Sequence, residues 1–169
     1  MTDRADILLL LLLALAAGCQ RPPATIEAPC PEALVGKLLD AAPKDALAAI
    51  QDTFPGSEVA STSFVRVKIA QSRWIDEVVL FSNLHSGRVD AVILKYKPTL
   101  EPAERRRAIE ACGEAAVAEA LASGQPSATG RWRGLTLRAT AADRQGRLTL
   151  TFEPPPAPEA APLTAPPRR

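Results

Sequence analysis

The first regular pattern beyond residue 30 is helical. Pro31 is followed by apolar residues at helix spacing, namely Leu34, Val35, Leu38, Leu39 and Ala42. This stripe predicts an amphipathic helix, and proline is favoured at its first position because the missing N–H is not needed there. Pro43 interrupts the stripe and predicts the start of a second short helix that ends near Asp52.

Alternation of apolar and polar residues with a period of two follows the helices. It predicts strands over residues 64–69, 74–81 and 88–96, of which the first has the clearest alternation. The third strand has apolar residues on both sides, which is typical of a central strand. Residues 83–87 are rich in turn-forming types, so the second and third strands are predicted to form a hairpin.

The rest of the domain repeats these signals. Residues 101–123 predict one long helix whose inner face carries Ile109, Cys112, Gly113, Ala116, Val117, Ala120 and Leu121. Alternating residues over 135–139 and 148–152 then predict a second hairpin, with a turn over 143–146. The order is α-βββ-α-ββ. We expect an α+β fold, a two-layer sandwich in which helices cover one face of a mostly antiparallel sheet of about five strands.

The start of the chain has a different character. A short polar start is followed by the apolar run of residues 7–15 and then by Ala16-Ala17-Gly18-Cys19. This layout predicts a secretory signal, and the run is shorter than the roughly 20 apolar residues that span a bilayer. The segment resembles the lipobox of bacterial lipoproteins. Ordinary signal cleavage that releases a soluble periplasmic protein, and an uncleaved membrane anchor, are the alternatives.

The resemblance implies that residues 1–18 are removed and that Cys19 is lipidated, palmitate being among its acyl chains. Several chains on one residue make membrane attachment stable. Gln20 stands where such lipoproteins carry an Asp for inner-membrane retention, which implies an outer-membrane location facing the periplasm. Residues 19–30 then form a tether, residues 31–153 the α+β domain, and residues 154–169 a proline-rich tail expected to be disordered.

Charge and cysteine content narrow the functional classes. Without residues 1–18 the chain has 19 basic and 17 acidic residues. This near balance gives no reason to expect a nucleic-acid partner, which requires a strongly basic surface.

Outside the cytoplasm, Cys30 and Cys112 are expected to form a disulfide, and the alternative is a pair of buried free thiols. His85 is the single histidine, so no common zinc site can be assembled, and no cofactor is predicted.

Two groups of residues are candidates for catalysis, and each also has a structural interpretation. His85, together with Ser82 or Ser86 and Asp90, would be the centre of a hydrolase, but a turn histidine in solvent is the simpler interpretation. Asp76 and Glu77 are adjacent in a strand and are expected to point to opposite faces, so they should not form a carboxylate pair. We therefore predict no catalytic residues.

The basic run at the start of the long helix has a structural interpretation too. Residues 105–107 are three successive arginines. Successive helical residues fan around the axis, and nearby glutamates offer partners at spacings of three and four. A solvated helix face is expected.

The outer face of the predicted sheet is the candidate binding surface. If the apolar alternate residues face the helices, the outer face carries Phe64, Arg66, Lys68, Trp132 and Arg138. Aromatic rings beside cations can bind a protein or a cell-wall polymer, although an ordinary wet sheet face has the same composition. We expect a membrane-anchored envelope lipoprotein that acts as a non-enzymatic binding or assembly module. The alternatives are an envelope hydrolase that uses His85 and a soluble periplasmic inhibitor or binder.

Overall fold

The computed structural model describes residues 28–61, 64–113 and 115–156. The predicted signal peptide, Cys19, most of the tether and the tail beyond residue 156 lie outside the described residues. Within these ranges the helices are α1 Glu32–Leu38, α2 Pro43–Thr53, α3 Pro102–Ala111 and α4 Ala115–Ala122. The strands are β1 Glu58–Ser61, β2 Val65–Lys68, β3 Ile75–Ser82, β4 Val89–Tyr96, β5 Ser127–Trp132, β6 Leu135–Thr140 and β7 Thr149–Glu153. No helix within these ranges has the length and apolar character needed to cross a membrane.

The strands form one open, antiparallel sheet in the order β1-β2-β3-β4-β7-β6-β5. The α+β class and the antiparallel pairing are confirmed, and so are the β3–β4 and β6–β7 hairpins. The number of strands was underestimated, because the described part of the chain forms a sheet of seven strands.

The two strands that the sequence did not predict are the two edges of the sheet. β1 has four residues and a register shift against β2. β5 carries Ser127-Ala-Thr-Gly-Arg-Trp132, a segment with little apolar alternation. An edge strand has a neighbour on one side only and buries fewer side chains, so it needs less of the apolar pattern that identifies a central strand.

One hydrophobic core joins all four helices to one face of the sheet. Its helical members are Leu34, Val35 and Leu38 of α1, Ala46 and Ile50 of α2, Ala108 and Ile109 of α3, and Val117 and Ala118 of α4. The sheet contributes alternate residues of its strands, among them Val67, Val78, Leu80, Val92, Leu94, Leu137, Leu150 and Phe152. The opposite face of the sheet, called the outer face below, therefore points away from this core.

The predicted helix over residues 101–123 is divided into α3 and α4. Its start was correct, since Glu101 caps α3 and forms a reciprocal capping box with Glu104. The helix ends at Ala111, and the break holds Cys112, which is fully buried and disulfide-bonded, and Gly113, a weak helix former. Gly113 packs so closely on Leu137 that a Cβ would collide with the leucine methyl. The break rotates α4, so the predicted inward residue Ala116 is exposed, and Ala118 is buried instead.

The predicted disulfide between Cys30 and Cys112 is present. It ties the beginning of the domain to the end of α3 across 82 residues of sequence. Cys30 is buried, and the carbonyl of Pro29 accepts a hydrogen bond of 2.9 Å from the Tyr96 hydroxyl. The last residues assigned to the tether are therefore held against the domain.

Candidate functional site

The outer face of the sheet holds most of the residues that the sequence analysis selected for binding. Strand pairing aligns Arg66 with Val79 and Val79 with Ile93, and cross-strand partners point to the same face. Val79 is 2% exposed although it does not belong to the helix-facing core. The outer face therefore has a small apolar centre of its own, and side chains from neighbouring strands cover it.

An aromatic and cationic patch lies beside this centre. The rings of Phe64 and Phe81 are stacked, with centroids 5.9 Å apart and an interplanar angle of 7°. The Arg66 guanidinium carbon lies 5.0 Å from the centroid of Phe64. Phe81 is 43% exposed. We call Phe64, Arg66 and Phe81 the aromatic patch; it offers a rigid, flat, partly apolar surface with a positive charge at one side.

Beyond Arg66 the outer face contains a polar recess of about 610 Å³. Its lining residues are Gly56, Glu58, Arg66, Lys68, Ile69, Ala70, Asp76, Glu77, Lys95, Gln145 and Arg147. Four of these residues are cationic and three are anionic, so the recess is close to electrically balanced. This balance favours a ligand with mixed polar groups over a simple ion.

The buried carboxylate of Glu77 organises the floor of the recess. One of its oxygens lies 2.7 Å from Arg66 Nε and 3.2 Å from Lys95 Nζ, and the other lies 3.5 Å from Arg147 Nη1. Its side chain is 6% exposed. A buried carboxylate without partners is very costly, so these three cations offset the cost of burying Glu77, and Glu77 in turn fixes their positions.

The prediction that Asp76 and Glu77 point to opposite faces is wrong. Both carboxylates reach one guanidinium, since Arg147 Nη1 lies 3.0 Å from Asp76 Oδ2. The register between β3 and β4 shifts between Ile75 and Glu77, so Asp76 is an extra residue in β3. Such a bulge redirects the neighbouring side chains and breaks the simple alternation.

Arg147 is also fixed from its own loop. The Asp143 carboxylate accepts hydrogen bonds from the backbone N–H groups of Gln145 and Arg147 and lies 3.1 Å from Arg147 Nε. Burial alone would raise the pKa of Asp143, but these hydrogen bonds and the Arg147 charge outweigh it and hold the pKa below its usual range. Burial likewise disfavours the charged Arg147, whereas its hydrogen bonds to Asp76 and Asp143 raise its pKa overall.

Trp132 does not belong to the outer face. It is 8% exposed, lies in the helix-facing core and packs edge-on against Phe152, with ring centroids 5.0 Å apart. Arg133 and Gly134 both have positive φ angles and form a two-residue turn that pairs Trp132 with Leu135. Because paired residues share a face and Leu135 packs on the core, Trp132 must also point inward.

The other predicted outer-face residues have ordinary surroundings. Lys68 is exposed and lines the recess. In the sheet it is the cross-strand partner of Glu77 in β3 and of Glu58 in β1. Arg138 lies on the outer face towards the β5 edge and donates to Glu153 at 3.2 Å, far along the sheet from the aromatic patch. The structure therefore brings Phe64, Arg66 and Lys68 together and separates Arg138 from them.

His85 lies exposed in the β3–β4 turn. The Asn83 side chain accepts hydrogen bonds from the backbone N–H groups of His85 and Ser86, and the chain turns back at Gly87. This turn was predicted correctly. The hydrogen bonds of this turn fix the backbone and leave the imidazole in solvent. This placement agrees with a surface histidine rather than with a catalytic one.

Within the described ranges, no three His, Cys, Asp or Glu side chains are grouped as metal ligands. The chain matches no protein-family model, no curated protein and no solved structure. Sequence reasoning missed the contribution of Phe81, Lys95 and Arg147 to the outer face, because their proximity follows from strand pairing and a loop rather than from any local spacing.

Proposed function

We propose that this protein is an envelope lipoprotein, anchored through Cys19, that binds another envelope protein through the outer face of its sheet. The observation that carries the binding proposal is the stacked Phe64–Phe81 pair with Arg66 beside it on the face opposite the core. Aromatic and arginine side chains are enriched at the centres of protein interfaces. The role is assembly or adaptation rather than catalysis.

The arrangement around the aromatic patch supports a protein partner over a simple anionic polymer. The recess beside the patch is nearly charge-balanced, and Arg66 already neutralises part of the Glu77 charge. A strongly anionic polymer would gain little net attraction here. A protein surface can match both the apolar rings and the alternating charges, with Arg66 at the boundary between them.

The Cys30–Cys112 disulfide supports a location outside the reducing cytoplasm. It would also couple an anchor at Cys19 to the domain. The disulfide fixes the chain at residue 30, and the 11 Cα–Cα steps from Cys19 to Cys30 would span at most about 36–40 Å. The domain would then act close to the membrane surface, where a partner must present its own binding site.

Two measurements test the two halves of the proposal. Intact mass of the protein extracted from native membranes should correspond to a chain that starts at Cys19 and carries acyl chains, and Cys19→Ala should abolish that species. An unacylated mature chain would contradict the anchor and favour the soluble binder.

Photo-crosslinking in intact cells tests the binding face. A photoactivatable amino acid at Phe81 should capture one defined envelope protein, and Arg66→Ala should reduce that capture. The same probe at Arg107, which is exposed on α3 on the helical side, is the matched control. Equal capture from both positions, or none from Phe81, would rule out the outer face as the interface.

A further inference from the structure

A second cavity lies on the helical side, between α3 and α4. Its volume is about 420 Å³, within the range of about 300–1,000 Å³ typical of small-molecule sites. Its lining includes Ala103, Arg105, Ile109, Ala118, Ala122 and Leu148. We call it the α3–α4 groove. It is independent of the outer face and of the binding role proposed for that face.

The α3–α4 groove has an apolar floor. Ile109, Ala118 and Leu148 are each at most 3% exposed and form the base, while Ala103 and Ala122 are exposed at the rim. Alanines on both helices leave space where larger side chains would close the gap. The groove exists because the helix breaks at Cys112, so α3 and α4 are separate elements rather than one rod.

Arg105 places a fixed positive charge at the edge of the groove. Its Nε donates to the carbonyl of Leu100 at 2.9 Å, and one terminal nitrogen donates to the carbonyl of Pro98 at 3.1 Å. These bonds orient the guanidinium without cancelling its charge. Among the described residues, no carboxylate lies within ion-pair distance of Arg105, whereas the neighbouring Arg106 is paired with Glu110 at 2.8 Å.

We propose that the α3–α4 groove binds a long-chain fatty acid. The alkyl chain lies on Ile109, Ala118 and Leu148, and the carboxylate accepts hydrogen bonds from the free N–H groups of Arg105. The apolar floor accounts for the chain, and the oriented, uncompensated guanidinium accounts for the anionic head. The acyl chains of a lipidated cysteine carry no such head.

The test uses the full protein purified from membranes, returned to neutral lipid nanodiscs and exposed to a palmitic acid that carries a photoactivatable diazirine. Mass spectrometry of the digested protein locates the labelled peptides. We expect labelling concentrated on α3 and α4 and competed by unlabelled palmitate. Labelling spread over the domain, or resistant to competition, would overturn the proposal.

The head-group preference is tested first without altering the protein. The corresponding diazirine alcohol, which lacks the carboxylate, should label α3 and α4 about tenfold less, since a hydrogen bond to a charged group contributes about that factor. Equal labelling by the acid and the alcohol would show that Arg105 does not bind the carboxylate, and would overturn the fatty-acid assignment. Preferential labelling by a diazirine phospholipid would identify a different occupant and overturn the fatty-acid assignment.

Matched variants then test the site. Arg105→Gln should lower labelling by palmitate about tenfold, whereas Arg107→Gln, on an exposed position of the same helix, should leave it unchanged. Ala122→Trp should fill the rim and abolish labelling, with Ala116→Trp as its exposed control on α4 outside the groove. Circular dichroism confirms that each variant is folded. Unchanged labelling in Ala122→Trp would place the ligand elsewhere.

Discussion

The Tyr96 hydroxyl lies 3.3 Å from Cys112 Sγ, so the single tyrosine of the chain is packed against its disulfide. The same hydroxyl donates to the carbonyl of Pro29, next to Cys30. One side chain on the central strand β4 therefore contacts Cys112 directly and also the residue next to Cys30. This contact couples the beginning of the domain, the sheet and α3. It also buries the Tyr96 hydroxyl, and the effect of this burial on the pKa of Tyr96 can be measured.

Alkaline pH should destabilise the protein through Tyr96. Burial raises the pKa of Tyr96 far above its usual value of about 10, so the native state retains a proton that the unfolded state loses. Above about pH 10, stability should fall with pH by about 1.4 kcal/mol per unit from this group. Urea unfolding at several alkaline pH values measures the slope.

Tyr96→Phe is the control for that slope. The variant should lose about 1 kcal/mol at neutral pH, since the Pro29 carbonyl loses its donor, and should show a shallower alkaline slope. Phenolate absorbance in the native wild-type protein reports on Tyr96 alone, because there is no other tyrosine. A native titration with an ordinary tyrosine pKa would contradict the burial of this hydroxyl.

Loss of the disulfide should cost a large part of the stability. The bond closes a loop of about 80 residues, for which chain entropy gives at most about 4.5 kcal/mol. A double Cys30→Ala, Cys112→Ala variant should lower the free energy of unfolding by about 2–4 kcal/mol. Urea unfolding with and without a reductant checks this: the reductant should weaken the wild type and leave the double variant unaffected.

Glu77 and Asp76 should differ in importance although both contact Arg147. Glu77→Gln leaves Arg66, Lys95 and Arg147 without the buried carboxylate between them and should cost about 2–4 kcal/mol. The side chain of Asp76 is 43% exposed, so Asp76→Asn should cost less than about 1 kcal/mol. Thermal or urea unfolding of the two variants compares them. If both substitutions lowered the free energy of unfolding equally, the bulge in β3, rather than the burial of Glu77, would determine the stability of this cluster.

Two glycine-to-alanine substitutions should have opposite signs. At Gly113 a Cβ collides with the fully buried Leu137, so Gly113→Ala should cost about 1–3 kcal/mol. Gly36 lies exposed within α1, where an added Cβ meets no atom. Gly36→Ala should stabilise the protein by about 0.5–1 kcal/mol through helix propensity. Unfolding midpoints of the two variants measure the difference, and a neutral Gly113→Ala would mean that the end of α3 can move away from the sheet.

By itself, the sequence determined the central part of the fold. Strict alternation in residues 64–69, 135–139 and 148–152 identified half-buried antiparallel strands, because one side of each strand must be apolar to pack on a core. Two cysteines beyond Cys19 were enough to predict the disulfide that is present between Cys30 and Cys112. These features depend on local periodicity or on simple composition, which a chain displays before it folds.

Only the tertiary structure decided which residues share the candidate surfaces. A bulge brought Asp76 and Glu77 to one guanidinium, and a two-residue turn placed Trp132 in the core instead of on the outer face. The edge strands, the stacking of Phe64 on Phe81 and the groove between α3 and α4 also depend on pairings between distant segments. Register and bulges are set by the partner strand, and a single shift reverses the face of a side chain, so local alternation cannot specify them.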